Sequence, residues 1–367
     1  RLYCFYFYCF IIGRIYNKVG EQCEKYFSSL FVPQADSGGM EGFMAKKGWV
    51  KDKGKWYYYD TNGSMKKGWV NDKEKWYYLL DNGEMVANRW LQDPKSFKWY
   101  FFRSNGEMLV SDWAKDSVGK WYYLRSNGEM AVSQMRKGRD GNNYYLGSDG
   151  AMATRGEIKW DGNWYYVKRS GVCGIIKNMV TKRNLLDLGW REKLLTDNML
   201  LKLNAALSEY SIANKNSLRH FLAQCCVESG CGEILLEKHS SKFPSPQEYF
   251  RNRDFKEYNN VPGSPAMEGD GAKYRGAGYI QITWKDAYYK FAKYVGDDEI
   301  LNRGCEYVAA NYAWESAGWF WSVFKKLNSL IENEPDITVD RVTKIVNGGY
   351  TALEKRIEVY NRSCDVI

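Results

Sequence analysis

At 367 residues the chain is too long for a single compact core and implies two or three domains. Its 15 Trp, 29 Tyr and 34 Gly against only 7 Pro point to short aromatic hairpins repeated along the chain. Two histidines, His220 and His239, are too few for a His-rich metal site or an HExxH helix, and no apolar run reaches the roughly 18 residues that a spanning helix needs. The net charge of +9 is uneven: residues 44–170 carry 23 Lys/Arg against 15 Asp/Glu, whereas residues 171–367 carry 26 against 25. The basic character belongs to the aromatic half and suits a long-range attraction to an anionic polymer.

Residues 1–43 look foreign to the rest of the chain, with the apolar run LYCFYFYCFIIG (2–13) and no convincing small-x-small cleavage site behind it. They are expected to be a leader that is either a truncated signal or a misplaced start, and no function is placed there. The nine cysteines are scattered and none falls in a CxxC pair, so most of them are expected to be reduced, buried, small apolar residues.

From Lys47 one pattern recurs: KGWVKDKGKWYYYDTNGSM (47–65), KGWVNDKEKWYYLLDNGEM (67–85), RWLQDPKSFKWYFFRSNGEM (89–108) and DWAKDSVGKWYYLRSNGEM (112–130). Two degenerate copies follow at 134–152 and 156–171, and the aromatic triplets begin at Trp56, Trp76, Trp99, Trp121, Asn143 and Trp164. Each copy reads as a β-hairpin, with Asn62-Gly63, Asn82-Gly83, Asn105-Gly106, Asn127-Gly128 and Asp149-Gly150 supplying positive-φ turn residues. One hairpin cannot bury its own aromatic face, so neighbours are expected to stack into a solenoid.

These residues resemble the choline-binding repeats of Gram-positive and phage cell-wall proteins, whose hairpins form aromatic cages for the choline of teichoic acids. A quaternary ammonium suits such a cage, because π faces attract it and nothing needs to hydrogen-bond it. The resemblance implies cage walls at Trp49, Trp69, Trp90 and Trp113, completed by Trp56/Tyr58, Trp76/Tyr78, Trp99/Phe101 and Trp121/Tyr123, with Met65, Met85, Met108 and Met130 alongside. Met135, Glu157 and Asn143 depart from the pattern, so the last two copies are expected to be caps or weak sites. Related repeats elsewhere bind sugars, which leaves a glycan as the alternative ligand.

After Gly171 the triplets stop, residues 173–193 read as a linker, and helical periodicity appears around Leu194–Tyr210. In KNSLRHFLAQCCVESG (215–230), Leu218, Phe221, Leu222 and Cys225 form an apolar stripe that Glu228 extends. A carboxyl at the end of that helix, partly desolvated and near the negative end of the dipole, is favoured in the protonated form that a general acid needs.

HFLAQCCVESG, GDGAKYRGAGYIQITWKDAYYKF (269–291) and VTKIVNGGYTALEKRIEVY (342–360) together resemble the glycoside hydrolase family 19 fold of chitinases and phage endolysins, over roughly residues 195–363. The resemblance implies Glu228 as the general acid and Glu237, nine residues on, as the carboxylate that activates water; Glu233 is its rival. It also implies His239 beside that water, Gln281 and Thr283 on one face of a strand with Tyr279, and Tyr274, Arg275, Asn347 and Arg356 at the remaining cleft positions. Ala287 stands where the family usually has Asn, removing one expected hydrogen bond to substrate.

The expected architecture is multidomain: repeats over 44–172 in a β-hairpin solenoid, and a mainly α (α+β), lysozyme-like catalytic domain over 194–367. The expected function is hydrolysis of β-1,4 bonds in peptidoglycan at the bacterial cell wall, by inversion and without metal or cofactor, from a phage lysin or a secreted autolysin. Peptidoglycan and choline-bearing teichoic acid are the expected partners, nucleic acid and a membrane span are not, and a homodimer through the repeats stays open. The rival readings are a chitinase, a lytic transglycosylase and an inactive wall-binding protein, while a Cys226/His239 amidase is disfavoured for want of a third orienting group.

Overall fold

The structure, a computed structural model, describes residues 47–367; the leader expected over residues 1–43 falls outside them. Backbone contacts divide the described residues into two compact units, 47–70 with 78–85 and 71–77 with 86–367.

The repeats fold as β-hairpins: β1 (Gly48–Asp52) with β2 (Lys55–Tyr59), β3 (Gly68–Asp72) with β4 (Lys75–Leu79), β5 (Arg89–Gln92) with β6 (Trp99–Phe102), and β7 (Asp112–Lys115) with β8 (Trp121–Leu124). In β1–β2, Trp49 lies opposite Tyr58 and the turn is Lys53-Gly54, both at positive φ as a tight hairpin requires. The Asn-Gly pairs make a second turn instead. They reverse the chain after the triplet and return the trailing Met as an isolated bridge, Tyr59 to Met65 and Leu124 to Met130 among others.

That Met joins one hairpin to the one before it. Within the first unit Met85 N–H donates to the Trp56 carbonyl at 2.8 Å, and within the second Met108, Met130 and Met152 donate to Trp76, Trp99 and Trp121 at 2.7–2.8 Å. The Met side chain then packs forward: a Cβ on Gly128 would sit 2.4 Å from Met108, and one on Gly150 2.5 Å from Met130. The last two copies depart from the separate hairpins. β9 (Gln134–Lys137), β10 (Asn143–Leu146), β11 (Gly156–Trp160) and β12 (Asn163–Val167) join one five-stranded sheet through β13 (Val172–Ile175), in the order β11-β12-β13-β10-β9.

The residues read as a linker are thus structured. Beyond β13, Val180, Leu185, Leu188 and Trp190 are buried in the core of the helical domain. At the centre of that core the helix Lys215–Glu228 is capped by the Asn214 side chain, which accepts from the Asn216 and Ser217 amides. It buries Leu218, Phe221, Leu222 and Cys225, as its apolar stripe predicts, against the helices Leu327–Asn333, Val339–Asn347 and Leu353–Val366. The cysteine expectation is corrected in one place: Cys226 and Cys231 form a disulfide that brackets Glu228 and the turn after it. Cys173, Cys225 and Cys305 are reduced and buried, as expected, whereas Cys364 is exposed.

The final hairpin docks on the helical domain. Lys177 N–H donates to Ser208 Oγ at 2.9 Å, and the Arg155 guanidinium lies 4.1 Å over the Tyr312 ring and 3.4 Å from Asp297.

Candidate active site and aromatic cages

Glu228 is the last residue of its helix, followed by Ser229 and Gly230, where Ser229 Oγ accepts from the Gly232 amide. Its Oε1 takes hydrogen bonds from Arg356 Nη2 at 2.8 Å and Asn347 Nδ2 at 3.4 Å, which leaves Oε2 with no hydrogen-bond partner among the described residues. Arg356 is itself buried, and donates also to Gln224 Oε1 and to the Thr351 carbonyl. Gln224, one helical turn before Glu228, donates in turn to Thr343 Oγ1 at 3.1 Å. A run of polar groups inside the core thereby orients one carboxyl, and every member has a partner.

Glu237 stands on the segment after that helix. Arg253 donates to both of its oxygens at 2.9 Å, and Gly276 N–H donates to Oε2 at 3.0 Å. The Glu237 amide returns a bond to the Gly276 carbonyl at 2.8 Å, so the backbone is pinned as firmly as the side chain. The rival Glu233 is paired with Arg191 and does not line the cleft. His239 does not line it either.

The segment 276–284 is not a strand. Ala277 makes isolated bridges to Leu236 and Ile282, and the chain between them turns. The expected alternation therefore fails: Gln281 and Thr283 line the cleft, but Tyr279 points into the core and stacks 3.6 Å from Trp314. Gln281, at φ 54°, reaches back to the Gly278 and Ile234 carbonyls, and Thr283 Oγ1 donates to the Gln281 carbonyl. Three further residues expected in the cleft support it from behind. The Tyr274 hydroxyl donates to the Leu301 carbonyl inside the core. Arg275 donates to the Glu237 and Ala272 carbonyls, and Arg356 acts through Glu228. Asn347 does line the cleft.

The cleft encloses about 790 Å³, and both Glu228 and Glu237 face it. Tyr258 and Trp284 form an aromatic rim with ring centres 5.4 Å apart, while Phe320, Phe324 and Lys325 also line it. The sequence reading missed Arg253, Gln224, Tyr258, Trp284 and Lys325. Arg253 ends a single 3-10 turn, Arg251–Arg253, with no motif to announce it, whereas Trp284 directly follows IQIT and was within reach.

In the repeats, Trp113, Trp121, Tyr144 and Met152 line a recess of about 410 Å³, with Asp112, Asp140 and Arg139 at its edge. Trp113 meets Tyr144 of the following hairpin at 5.6 Å, and Trp90 meets Tyr122 of its following hairpin at 5.1 Å. Tyr123, expected as a cage wall, instead braces Trp113 edge-on from its own hairpin at 5.3 Å and does not line this recess. The Trp49–Tyr58, Trp69–Tyr78 and Trp90–Phe101 pairs have the same edge-on geometry. The ring that faces Trp113 across this recess comes from the next repeat, and it is Tyr144 of a copy expected to be weak. The triplet tryptophans Trp56, Trp76, Trp99 and Trp121 are 39–44% exposed. Trp121 already carries a cation, with Lys115 Nζ 4.6 Å from its ring centre.

Among the described residues no group of three or more His, Cys, Asp and Glu is arranged to hold a metal ion.

Comparison with known proteins agrees with this division. Residues 46–90 match a family model described as a choline-binding repeat, and residues 88–108, 111–130, 140–152 and 158–173 one described as a putative cell wall binding repeat. Among solved structures, the modular autolysin LytC from Streptococcus pneumoniae is similar at 36% identity and a TM-score of 0.29, over 34% of this chain and 27% of that one. Choline binding protein F from the same species is similar at 34% identity and a TM-score of 0.29, over 37% of this chain and 44% of that one. The chain thus spans less than half the length of either. A glycosyl hydrolase family 19 domain-containing protein of Haemophilus influenzae is 32% identical over 183 residues, 43% of this chain and 84% of that relative. With two carboxylates facing one cleft and that likeness across most of a relative's length, the chain belongs to the glycosyl hydrolase family 19 domain-containing proteins, with choline-binding repeats ahead of that domain.

Proposed function

We propose that the protein is a cell-wall-targeted peptidoglycan hydrolase that cleaves the β-1,4 bond between N-acetylated sugars with inversion. The observation that carries this reading is that Glu228 and Glu237 face the same cleft, each held from behind by its own arginine.

Glu228 is the acid. Arg356 and Asn347 occupy Oε1, so Oε2 is the oxygen left to pass a proton to the glycosidic oxygen as the bond from that oxygen to C1 breaks. Glu237 is the base. It takes a proton from a water whose oxygen forms the new bond to C1 from the opposite face, which requires carboxyls far enough apart to admit that water. The forked bond from Arg253 and the Gly276 amide fix the plane of the Glu237 carboxylate, and Tyr258 and Trp284 offer ring faces to the sugars. The repeats supply retention at the wall through choline held in cages such as Trp113/Trp121/Tyr144. A wall-anchoring module favours peptidoglycan over free chitin.

The test compares the full chain with Glu228→Gln on choline-containing walls and on chitin, with released ends identified by mass spectrometry. Hydrated muropeptides from walls, reduced by about 10²-fold or more in the variant, support the proposal. Anhydro ends would mean a transglycosylase and chitin-only products a chitinase. Wall binding without any product would leave a binding protein.

A further inference from the structure

The charges on the cleft wall are equal in number but unequally paired. Three carboxylates line it, and each has a partner: Glu228 with Arg356 at 2.8 Å, Glu237 with Arg253 at 2.9 Å and Asp286 with Lys290 at 2.7 Å. Of the three cations that line it, Arg253 is consumed by Glu237, whereas Lys238 and Lys325 form no ion pair among the described residues. Lys238 is exposed and follows Glu237 directly.

Lys325 is the more telling of the two. It is half-buried, its amide is tied to the Phe320 carbonyl at 2.8 Å, and its Nζ lies 5.5 and 5.4 Å from the ring centres of Phe320 and Phe324. Burial pushes its pKa down, and no carboxylate opposes that shift. The two rings offset only part of the cost of desolvating this ammonium, and an anion arriving with the ligand recovers more of it. A neutral polymer of N-acetylglucosamine brings none. A wall glycan brings carboxylates, either on the peptide stems or on the lactyl ethers from which stems have been removed.

We propose that Lys325 is a specificity-determining residue that binds a carboxylate carried by the glycan substrate, with Lys238 adding a second positive charge to the same cleft. This rests on the hydrolase reading above, and it assigns to the cleft an anionic, substituted aminosugar polymer as its preferred substrate class.

The experiment uses the full chain and soluble wall glycan strands free of teichoic acid, so that the repeats do not contribute to binding. Wild type, Lys325→Met and Lys325→Arg are assayed on three forms: strands bearing stems, strands stripped by an amidase, and stripped strands whose lactyl carboxylates are converted to methylamides. The expected result for Lys325→Met is a rise in KM of about tenfold on an anionic form, with kcat little changed and the neutral form unaffected. Lys325→Arg keeps most of the wild-type KM, and because Arg and Met both preserve an apolar stem, the contrast between the two variants assigns the effect to the charge. A KM effect confined to stem-bearing strands identifies the stem carboxylates, and one that persists on stripped strands identifies the lactyl group. An equal effect on the neutral form, or none on any form, overturns the proposal while wild-type turnover leaves the hydrolase reading standing. Wild type inert on all three forms overturns the hydrolase reading itself.

Discussion

Arg253 grips Glu237 with both terminal nitrogens, each 2.9 Å from a different carboxylate oxygen. The same guanidinium lies 4.7 Å from the Phe250 ring centre and 5.7 Å from that of Trp284, so its plane is held from the side as well. Lysine cannot reproduce a forked, planar contact of this kind. Arg253→Lys is expected to lower kcat on wall glycan by about tenfold and Arg253→Ala by about a hundredfold, with KM changed much less. Steady-state kinetics separate the two, and a pure KM effect would show that Arg253 binds sugar and does not position the base.

The aromatic recess between the fourth and fifth repeats, the cage proposed above, is lined by Tyr144, whose hydroxyl donates to Asp140 at 2.7 Å. Tyr144→Ala is expected to weaken choline binding at that cage by about tenfold, while Tyr123→Phe, on the edge-on brace, leaves it intact. Choline titrations of the full chain followed by tryptophan fluorescence, wild type against the two variants, isolate the part of the signal that this recess contributes. Equal losses in both variants would contradict this assignment of the wall.

Met108 occupies the space where a side chain on Gly128 would begin, and Gly128 has φ 82°. Gly128→Ala therefore faces a strained backbone and makes the flexible end of Met108 move aside. It is expected to destabilise the repeats by about 1–3 kcal/mol, read as a lower denaturant midpoint. Hydrolysis of soluble strands, which depends on the cleft alone, should persist under conditions where wall binding is already lost.

Where the last hairpin meets the helical domain, Glu209 and Glu315 line a common cavity with Glu157, Arg155 and Lys202. Burial raises the Glu209 carboxyl to about 7 and the Glu315 carboxyl to about 8, each raised further by a neighbouring carboxylate and opposed by Lys168, Arg155 and Lys202. A carboxyl whose folded pKa is raised costs stability once pH exceeds its unfolded value, and that cost grows until pH passes the folded one. Thermal stability is thus expected to fall as pH rises from about 5 through 7 and 8. The double variant Glu209→Gln/Glu315→Gln should flatten that dependence, and a wild-type profile retained in it would assign the pH sensitivity elsewhere.

How much could be read from the sequence depends on which contacts are local. The GW strand, the triplet and the Asn-Gly turn lie within one copy of about twenty residues, so hairpin formation is written into each copy and repeated visibly. The same holds for the helix that ends at Glu228, whose apolar spacing, Asn214 cap and terminal Gly230 are all close together in the chain. Contacts between copies and between distant segments carry no such local signature. Tyr144 meets Trp113 across the recess only because its hairpin stacks on the one before. Cys226 pairs with Cys231 because a turn brings them to a Cα separation of 4.0 Å, although sequence spacing alone suggested reduced cysteines.

The two-part architecture, the position of Glu228 at a helix end and the aromatic chemistry of the repeats are all legible along the chain, because short-range turns and helical periodicity dictate them. Which carboxylate shares the cleft with Glu228 emerges from packing, since Glu237 and Glu233 differ there by their partners, Arg253 and Arg191. Packing also set Arg356, 128 residues from Glu228 in the chain, as that residue's counter-ion, and left Lys325 facing the cleft without one among the described residues. The physical reason is the same in each case: a buried or half-buried charge takes the partner that packing places beside it, and packing joins segments whose separation in the chain carries no pattern.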